Sequence, residues 1–290
     1  DVLHAVTPKL VMLRVSGYGQ TGPYKDRPAF ARIAHAYGAL SYLTGMPGEA
    51  PLTPGSTSLA DYISGLYGAI GILLALRSRD ATGEGQMIDV ALFESIFRVL
   101  DEIATAFAWS GTVRPRLGLH TSNACPHGHF ETQDGEWVSI ACTTDKMFAR
   151  FAAVMEQPEL AGADRFASYL TRIEQADEVN ALVGKWFANL TREDALNRCL
   201  AGDVPIAPVN SIADVFKDPH YKARETIIGV HEPTLDKEIM VPNVLPRLSN
   251  TPGRIASLGP TLGNANDDVY GEELGLTADE ISALQDKGVI

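Results

Sequence analysis

The feature that most constrains the fold is an apolar segment at about 60–78, which opens with the carboxylate Asp61 and carries three glycines, at 65, 68 and 71. The segment is predicted to form a helix, although each glycine within a helix costs about 1 kcal/mol relative to alanine. Glycine is favoured at such positions when another chain segment or a ligand approaches the helix backbone closely. We therefore expect tight packing of this helix, with Asp61 at the positive end of the helix dipole, where a negative charge is stabilised.

The segments around this helix predict a parallel α/β domain. Residues 9–15 and 86–90 have the apolar, β-compatible composition of buried strands. Helical periodicity predicts further helices at 28–44 and 91–109. Strands that alternate with helices in this order are typical of a parallel sheet with helices on its faces. The expected fold class is α/β, with an open Rossmann-like parallel sheet in a large domain.

Composition changes along the chain predict its division into domains. A stretch rich in glycine, proline and histidine precedes an Asp-Gly hairpin turn at 134–135, which is followed by three helical segments. The hairpin strands are predicted at 129–132 and 137–142, and the helices at 144–156, 173–189 and 191–201. The predicted parts are a large domain at 1–110, a linker at 111–125, a smaller α+β domain at 126–215 and a return segment at 216–290 that packs on the large domain.

The overall composition excludes some partners. The formal net charge of −12, without a lysine- and arginine-rich run, argues against nucleic acid as a partner. No uninterrupted apolar run reaches the roughly 18 residues of a membrane span, and the best candidate is 63–76. The three cysteines, Cys125, Cys142 and Cys199, are an odd number at wide spacings, which disfavours a disulfide framework and predicts a cytoplasmic location.

Several short motifs occur in a specific order. One of them, Ser-Gly-Tyr-Gly-Gln-Thr-Gly-Pro at 16–23, follows the first predicted strand directly. The complete set lies at 16–23, 60–66, 82–86, 134–138, 205–209, 219–225 and 275–281. With these motifs the chain resembles the class III CoA-transferases, also called the CaiB/BaiF family. The spacing is closest to that of the crotonobetainyl-CoA:carnitine CoA-transferase branch.

The resemblance implies a fold, partners and a longer polypeptide. Members of that family form interlocked homodimers, and they act on an acyl-CoA donor and a small carboxylic acid acceptor, with coenzyme A as the transferred group and no metal. The family pattern implies about a hundred further residues before Asp1. Those residues would include the first strands of the large domain and basic side chains that bind the CoA phosphates.

Asp61 matches the catalytic aspartate of the family. The resemblance implies that its carboxylate attacks a thioester, giving an acyl–aspartyl anhydride and then an aspartyl–CoA thioester. Spacing alone offers a simpler interpretation, because Ser58 and Asp61 fit the Ser-x-x-Asp pattern of a capping box at a helix start. The two roles are compatible, since a cap also fixes the carboxylate.

The loop after the first strand is the predicted CoA contact. Backbone amides of Ser16, Gly17, Tyr18 and Gly19 would surround a ligand at the carboxyl edge of the sheet, and the resemblance places them beside the pantetheine of CoA. The spacing matches neither a P-loop nor a dinucleotide fingerprint. Three basic side chains nearby are candidates for binding the CoA phosphates or the carboxylate of the acceptor, and ordinary surface charges are the simpler interpretation: Lys25, Arg27 and Arg32.

Three alternative functions stay open. An α-methylacyl-CoA racemase shares the fold, but it needs a histidine base that 28–32 lacks, and His35 lies later. A non-catalytic acyl-CoA-binding protein would form no adduct at Asp61. A zinc hydrolase would use the loop that contains His120, Cys125, His127 and His129, whose spacing matches no standard zinc site.

The sequence leaves the substrate undecided. A carnitine-type ammonium would be held by aromatic faces, for which the candidates are Tyr37, Tyr42, Tyr62 and Trp109. A small dicarboxylate such as succinate or mesaconate would be held by an arginine, for which Arg114 and Arg116 are candidates.

Overall fold

The computed structural model describes residues 2–162 and 165–290. Its α-helices are α1 Val2–Val6, α2 Ala31–Tyr37, α3 Leu40–Leu43, α4 Leu59–Thr82, α5 Leu92–Phe97, α6 Ile103–Ser110, α7 Asp145–Val154, α8 Tyr169–Glu174, α9 Ala176–Phe187, α10 Arg192–Ala201, α11 Ile212–Lys217, α12 Pro219–Ala223 and α13 Ala278–Asp286. Its strands are β1 Met12–Ser16, β2 Met87–Ala91, β3 His127–Glu131, β4 Trp137–Ala141, β5 Ile206–Pro208, β6 Ile227–Glu232 and β7 Lys237–Pro242. The chain divides into two compact units, Asp1–Val209 and Asn210–Ile290.

The first unit contains a parallel strand pair. β1 and β2 run side by side in register, from Met12 opposite Met87 to Ser16 opposite Ala91. The connection between them contains α2, α3 and α4, as a crossover between parallel strands requires. The predicted parallel α/β arrangement is therefore confirmed.

Helix α4 packs on this strand pair through its glycines. A Cβ atom built on Gly68 would lie 2.6 Å from Leu13 Cδ2, and one on Gly71 would lie 2.9 Å from Ile88 Cγ2. Nothing lies within 4 Å of the corresponding position on Gly65, which is exposed. The predicted close approach therefore occurs at Gly68 and Gly71, where helix and sheet meet, and not at Gly65.

This difference predicts opposite effects of two alanine substitutions in one helix. Gly65→Ala is expected to raise the free energy of unfolding by about 0.5–1 kcal/mol, because alanine is the better helix former and meets no neighbour. Gly68→Ala is expected to lower it, because displacing Leu13 costs about 1–3 kcal/mol and outweighs the helix propensity. Urea unfolding of both variants measures the effects. Equal stability of the two would contradict the packing described here.

Two helices predicted as single elements are each broken in the structure. The segment 28–44 forms α2 and α3, separated by Ala39 at φ +70°. The segment 91–109 forms α5 and α6, with Asp101 between them at φ +53°. Hydrophobic periodicity located helices in both segments, but it does not detect a left-handed residue at which a helix must stop.

The antiparallel part of the first unit contains a larger core. β3 and β4 form the predicted hairpin, with Gly135 at φ +73° in its turn, and β5 pairs with β4 on the other side. The helices α7 to α10 pack with this sheet around a cluster of buried side chains that includes Phe148, Phe151 and Phe187. Hairpin and helices together agree with the predicted α+β character.

The second unit contains an antiparallel pair and the last helix. β6 and β7 pair from Ile227 opposite Pro242 to Glu232 opposite Lys237. α13 begins with a complete capping box, in which the side chains of Thr277 and Glu280 each accept a bond from the other residue's backbone N–H. The domain boundaries at 110, 125 and 215 stay predictions.

One face of α4 is apolar and exposed. Its exposed side chains include Leu66, Ile70, Leu73 and Leu74. The helix has 24 residues and is long and apolar enough, by length and composition alone, to cross a membrane, although no uninterrupted run of that length was found in the sequence. Core helices of water-soluble proteins pass the same test, so it does not assign α4 to a membrane.

Candidate functional site

The parallel strand pair fixes the position of the candidate site. Ser16, the last residue of β1, lies opposite Ala91, the last residue of β2. The loop after β1 and the first turn of α5, which directly follows β2, therefore leave the same edge of the sheet. In open α/β sheets this carboxyl edge is where ligands bind.

The first turn of α4 lies at this same edge. Gly68 packs on Leu13, and after the end of α4 the Gly85 N–H donates to Pro8 O (2.9 Å), so the helix runs antiparallel to β1. Asp61 precedes Gly68 by about two turns, or about 10 Å of helix. Ser16 lies about 10 Å beyond Leu13 along the strand. Asp61 and the loop after Ser16 are therefore at the same height along the sheet.

Asp61 is exposed and does not act in a capping box. The Ser58 side chain accepts no hydrogen bond from the first turn of α4. The Asp61 N–H is bonded to Ser58 O at 3.0 Å, which fixes the backbone and leaves the carboxylate in solvent. The capping interpretation is wrong for this pair, and the carboxylate is available for chemistry at the positive end of the helix.

The loop that contains Gly17 is held from two sides. Gln20 donates through its backbone N–H to Asp89 Oδ2 (2.9 Å) and through its side chain to Ser16 Oγ (3.0 Å). A Cβ atom on Gly17 would lie 2.3 Å from Ala29 Cβ, so this position accepts only glycine without rearrangement. The loop is therefore fixed at the carboxyl edge of the sheet.

The backbone of this loop has free donors. Gly19 is buried at φ +83°, a conformation that favours glycine. Within 2–162 and 165–290, the N–H groups of Tyr18 and Gly19 make no hydrogen bond to another part of the protein. Successive free N–H groups in a turn are suited to binding an anionic or carbonyl oxygen.

The Tyr18 ring belongs to an aromatic cluster. Its centroid lies 5.0 Å from that of Tyr37 and 6.1 Å from those of Tyr24 and Phe93. The Arg27 guanidinium lies 3.5 Å from the centroid of the Tyr24 ring. The ring of Tyr18 therefore anchors the loop. Lys25, Arg27 and Arg32 are exposed, and their role towards phosphates stays a prediction.

A buried histidine lies next to Asp61. His35, on α2, is 1% exposed, and its Nε2 accepts a hydrogen bond from the Ala60 N–H (3.2 Å). Burial lowers the pKa of His35 below its usual value; the Asp61 charge opposes this shift and the Arg32 charge adds to it. An imidazole nitrogen that accepts a hydrogen bond carries no proton, so the ring in this contact is neutral.

A cavity opens at the carboxyl end of β2. Its volume is about 420 Å³, and it lies beside Asp89, which holds the glycine loop. The lining residues are Tyr67, Asp89, Val90, Ala91, Glu94, Ser95, Phe97 and Arg98. The volume is within the usual range of small-molecule sites.

The histidine-rich loop is the candidate metal site of the zinc hydrolase alternative. Among the residues that the structure describes, no group of three or more histidine, cysteine, aspartate and glutamate side chains is placed to hold a metal ion. The Cys125 thiol is directed at Asn180 Oδ1 (3.6 Å) and not at His127 or His129. The zinc hydrolase alternative therefore has no support from this loop.

The three thiols are buried and unsuited to nucleophilic attack. Burial raises the pKa of Cys125 to about 11 and those of Cys142 and Cys199 to about 12. At pH 8 the thiolate fraction is then at most about one in a thousand. We expect iodoacetamide to label none of them in the native protein within the time that labels all three in urea. Rapid labelling of one native cysteine would contradict this burial.

The proposed substrate-binding side chains are occupied or dispersed. Arg114 pairs with Glu102 and Asp101, and Arg116 donates to Tyr42 O (2.8 Å). The four aromatic candidates form no common cage: Tyr37 packs with Tyr18, whereas Trp109 is 90% exposed. Neither the two arginines nor the four aromatic residues therefore indicate which substrate binds.

The roles of two residues of the site were not recognised from the sequence. Asp89 holds the glycine loop, and a charged residue in the middle of the apolar strand β2 was a usable signal. His35 contacts the first turn of α4 from another helix, 25 residues earlier in the chain. No local pattern indicates that contact.

Comparison with known proteins agrees with this arrangement. The family described as CoA-transferase family III matches residues 1–266. The chain is 52% identical, over its full length, to the succinyl-CoA--L-malate CoA-transferase beta subunit and to the alpha subunit of that enzyme from Chloroflexus aurantiacus, covering 72% and 67% of their lengths. A succinyl-CoA--D-citramalate CoA-transferase of the same organism is 38% identical, and the chain covers 72% of it.

The solved structures lead to the same fold. A CAIB/BAIF family protein from Brucella suis superposes with a TM-score of 0.77 at 31% identity, covering 93% of this chain and 69% of that one. Rv3272 from Mycobacterium tuberculosis, at 21% identity and a TM-score of 0.78, shows the fold alone. The carnitine branch is not shown by these similarities. The chain belongs to CoA-transferase family III, a family of enzymes that act on CoA groups, as its motifs predicted.

Proposed function

We propose that this chain transfers CoA from succinyl-CoA to a small dicarboxylic acid through covalent intermediates on Asp61. One observation carries the proposal: an exposed carboxylate, not used as a cap, stands at the positive end of α4, level with a glycine loop that has free N–H donors. A carboxylate nucleophile needs this exposure and a nearby donor for the oxyanion.

The first half of the reaction releases the donor acid. An Asp61 carboxylate oxygen attacks the thioester carbonyl and the C–S bond breaks. The CoA thiolate departs, and the acyl group stays on Asp61 as a mixed anhydride. The thiolate then attacks the aspartyl carbonyl of the anhydride, which releases succinate and leaves an Asp61–CoA thioester. The free N–H groups of Tyr18 and Gly19 are suited to stabilise the oxyanions of these steps.

The second half transfers CoA to the acceptor. The acceptor carboxylate attacks the Asp61–CoA thioester, giving a new anhydride and the CoA thiolate. The thiolate attacks the acceptor's carbonyl, and the product acyl-CoA leaves with Asp61 restored as a carboxylate. One thioester is converted into another, so the transfer needs no energy from nucleotide hydrolysis. A racemase would need a proton-transfer base instead, and His35 is buried and engaged with Ala60.

The substrate class comes from the relatives. Two proteins 52% identical to this chain are named for succinyl-CoA and L-malate, and another at 38% for succinyl-CoA and D-citramalate. Both acceptors are hydroxy dicarboxylic acids. We extend this class to the present chain, with Ser16, Gly17, Tyr18 and Gly19 beside the pantetheine of CoA and the cytoplasm as its location.

Trapping of the covalent intermediate tests the nucleophile. The protein is incubated with succinyl-CoA, quenched with hydroxylamine, digested and analysed by mass spectrometry. A hydroxamate on the Asp61 side chain is expected. Asp80, at the other end of α4, is 61% exposed and is the matched control: Asp80→Ala should keep the hydroxamate and Asp61→Ala should lose it. No adduct in the unsubstituted protein would overturn the proposed function.

Competition between acceptors tests the substrate. Once the Asp61–CoA thioester has formed, L-malate and D-citramalate should discharge it faster than carnitine does. Faster discharge by carnitine would support the branch indicated by the sequence motifs and overturn the dicarboxylate assignment.

Two assemblies are candidates for this protein, a homodimer and a complex of two different subunits. The family resemblance favours a homodimer, whereas the relatives in Chloroflexus aurantiacus are described as alpha and beta subunits. Native mass spectrometry of the protein expressed alone distinguishes them, because a homodimer gives twice the chain mass without a second partner.

A further inference from the structure

The first turn of α4 is capped from another helix. A helix start leaves its first N–H groups without partners, and the side chain of the N-cap residue usually accepts one of them. Here Ser58 is the N-cap residue and its side chain accepts none. The N–H of Ala60, directly before Asp61, donates to Nε2 of His35 on α2 instead.

This hydrogen bond defines the protonation of His35. An imidazole nitrogen accepts a hydrogen bond only when it carries no proton, so the neutral ring has its proton on Nδ1. Nδ1 is buried, and among the described residues it has no partner. A positively charged imidazole would have to give up the bond to Ala60.

The surroundings make this contact rigid. His35 is 1% exposed, Ala60 is fully buried, and both lie where α2 packs on α4 through Ala31 and Ala34. A buried side chain in close packing has little freedom to change its rotamer. The imidazole therefore holds the backbone from which the Asp61 side chain extends.

We propose that His35 is a positioning residue for Asp61: its neutral imidazole caps the Ala60 N–H and fixes the carboxylate in the orientation for attack on the thioester. The inference rests on the proposed function. The expected gain in rate comes from geometry, because a displacement of about 1 Å between a nucleophile and the carbonyl that it attacks lowers the rate by about 100-fold.

Three substitutions test this role through the rate of Asp61 adduct formation. His35→Gln keeps an acceptor oxygen at about the position of Nε2, His35→Asn is too short to reach, and His35→Ala removes the acceptor. We expect His35→Ala and His35→Asn to lower kcat by about 10- to 100-fold with little change in KM. His35→Gln should restore most of the rate, and hydrogen exchange at Ala60 should rise only in the other two variants.

A pH profile separates positioning from simple stability. Asp61 and Arg32 are the charged groups that act on His35, and burial dominates its pKa, which lies below the usual 6.5. The rate of the unsubstituted protein should fall as the pH drops from 6.5 through the lowered pKa, because protonation breaks the cap. His35→Gln should lack that fall over the same pH range.

The outcomes distinguish the inference from the proposed function. A normal adduct rate in folded His35→Ala would overturn the positioning role and leave the nucleophile intact. A low rate in folded His35→Gln, with Ala60 still protected from exchange, would also overturn it, because the cap would then be insufficient. An adduct that is absent even in the unsubstituted protein would overturn both.

Discussion

Asp61→Asn is expected to abolish CoA transfer, with a loss of at least about 10³-fold in kcat. Asparagine has nearly the same size as aspartate, so the first turn of α4 and the loop at Ser16 should stay in place. The amide oxygen is a poor nucleophile and cannot form the mixed anhydride. Transfer is measured by the formation of malyl-CoA from succinyl-CoA and L-malate.

Two controls restrict the interpretation. Asp80→Asn changes an exposed carboxylate on the last part of the same helix and should leave kcat unchanged. Asp61→Asn should still bind succinyl-CoA, since the predicted pantetheine contacts come from 16–19 and not from this carboxylate. If Asp61→Asn kept more than about a tenth of the activity, the covalent mechanism would be wrong and a different carboxylate or direct transfer would have to be considered.

Arg172→Met is expected to destabilise the protein by about 3–5 kcal/mol. Arg172 is fully buried, and it donates to Cys125 O (2.9 Å), Phe166 O (2.9 Å) and Ala167 O (3.2 Å). It also pairs with Asp145 Oδ1 at 2.9 Å. Methionine keeps much of the apolar volume, but it leaves buried carbonyl oxygens without donors, which is the dominant cost.

A surface arginine in the same part of the chain is the matched control. Arg165 is 50% exposed and lies 3.3 Å from Glu178 Oε1, so Arg165→Met should cost less than about 1 kcal/mol. Urea unfolding followed by tryptophan fluorescence measures both, because Trp186 packs against Phe151 in the core around Arg172. Similar losses for the two variants would show that the buried network adds nothing to an ordinary surface pair.

Elements that depend on local chemistry were predictable. The Asp-Gly pair at 134–135 predicted the hairpin, and alternating strands and helices predicted the parallel pair β1–β2. Helix α10 was placed within a residue of its observed bounds. Periodicity and turn residues act over a few positions, so the sequence contains their full signal.

Breaks within helices were not predictable from the same pattern. Ala39 and Asp101 adopt positive φ, although neither is glycine, and each separates two helices that periodicity joined. A Cβ on Gly38 would lie 2.8 Å from Phe93 O, so the first break lies where α2 meets α5. Such close approach between helices selects the backbone conformation, and no local pattern contains it.

The candidate site also combines features that the sequence predicts with features that depend on tertiary packing. The sequence by itself determined the glycine loop after a strand, the carboxylate at the start of an apolar helix and, through the order of its motifs, the family. Only the tertiary structure decided that Ser58 does not cap α4, that Asp89 holds the loop and that His35 takes the capping position. The reason is distance along the chain: Gln20 and Asp89 are 69 residues apart and His35 and Ala60 are 25 apart, so these bonds exist only once the sheet and its helices have packed.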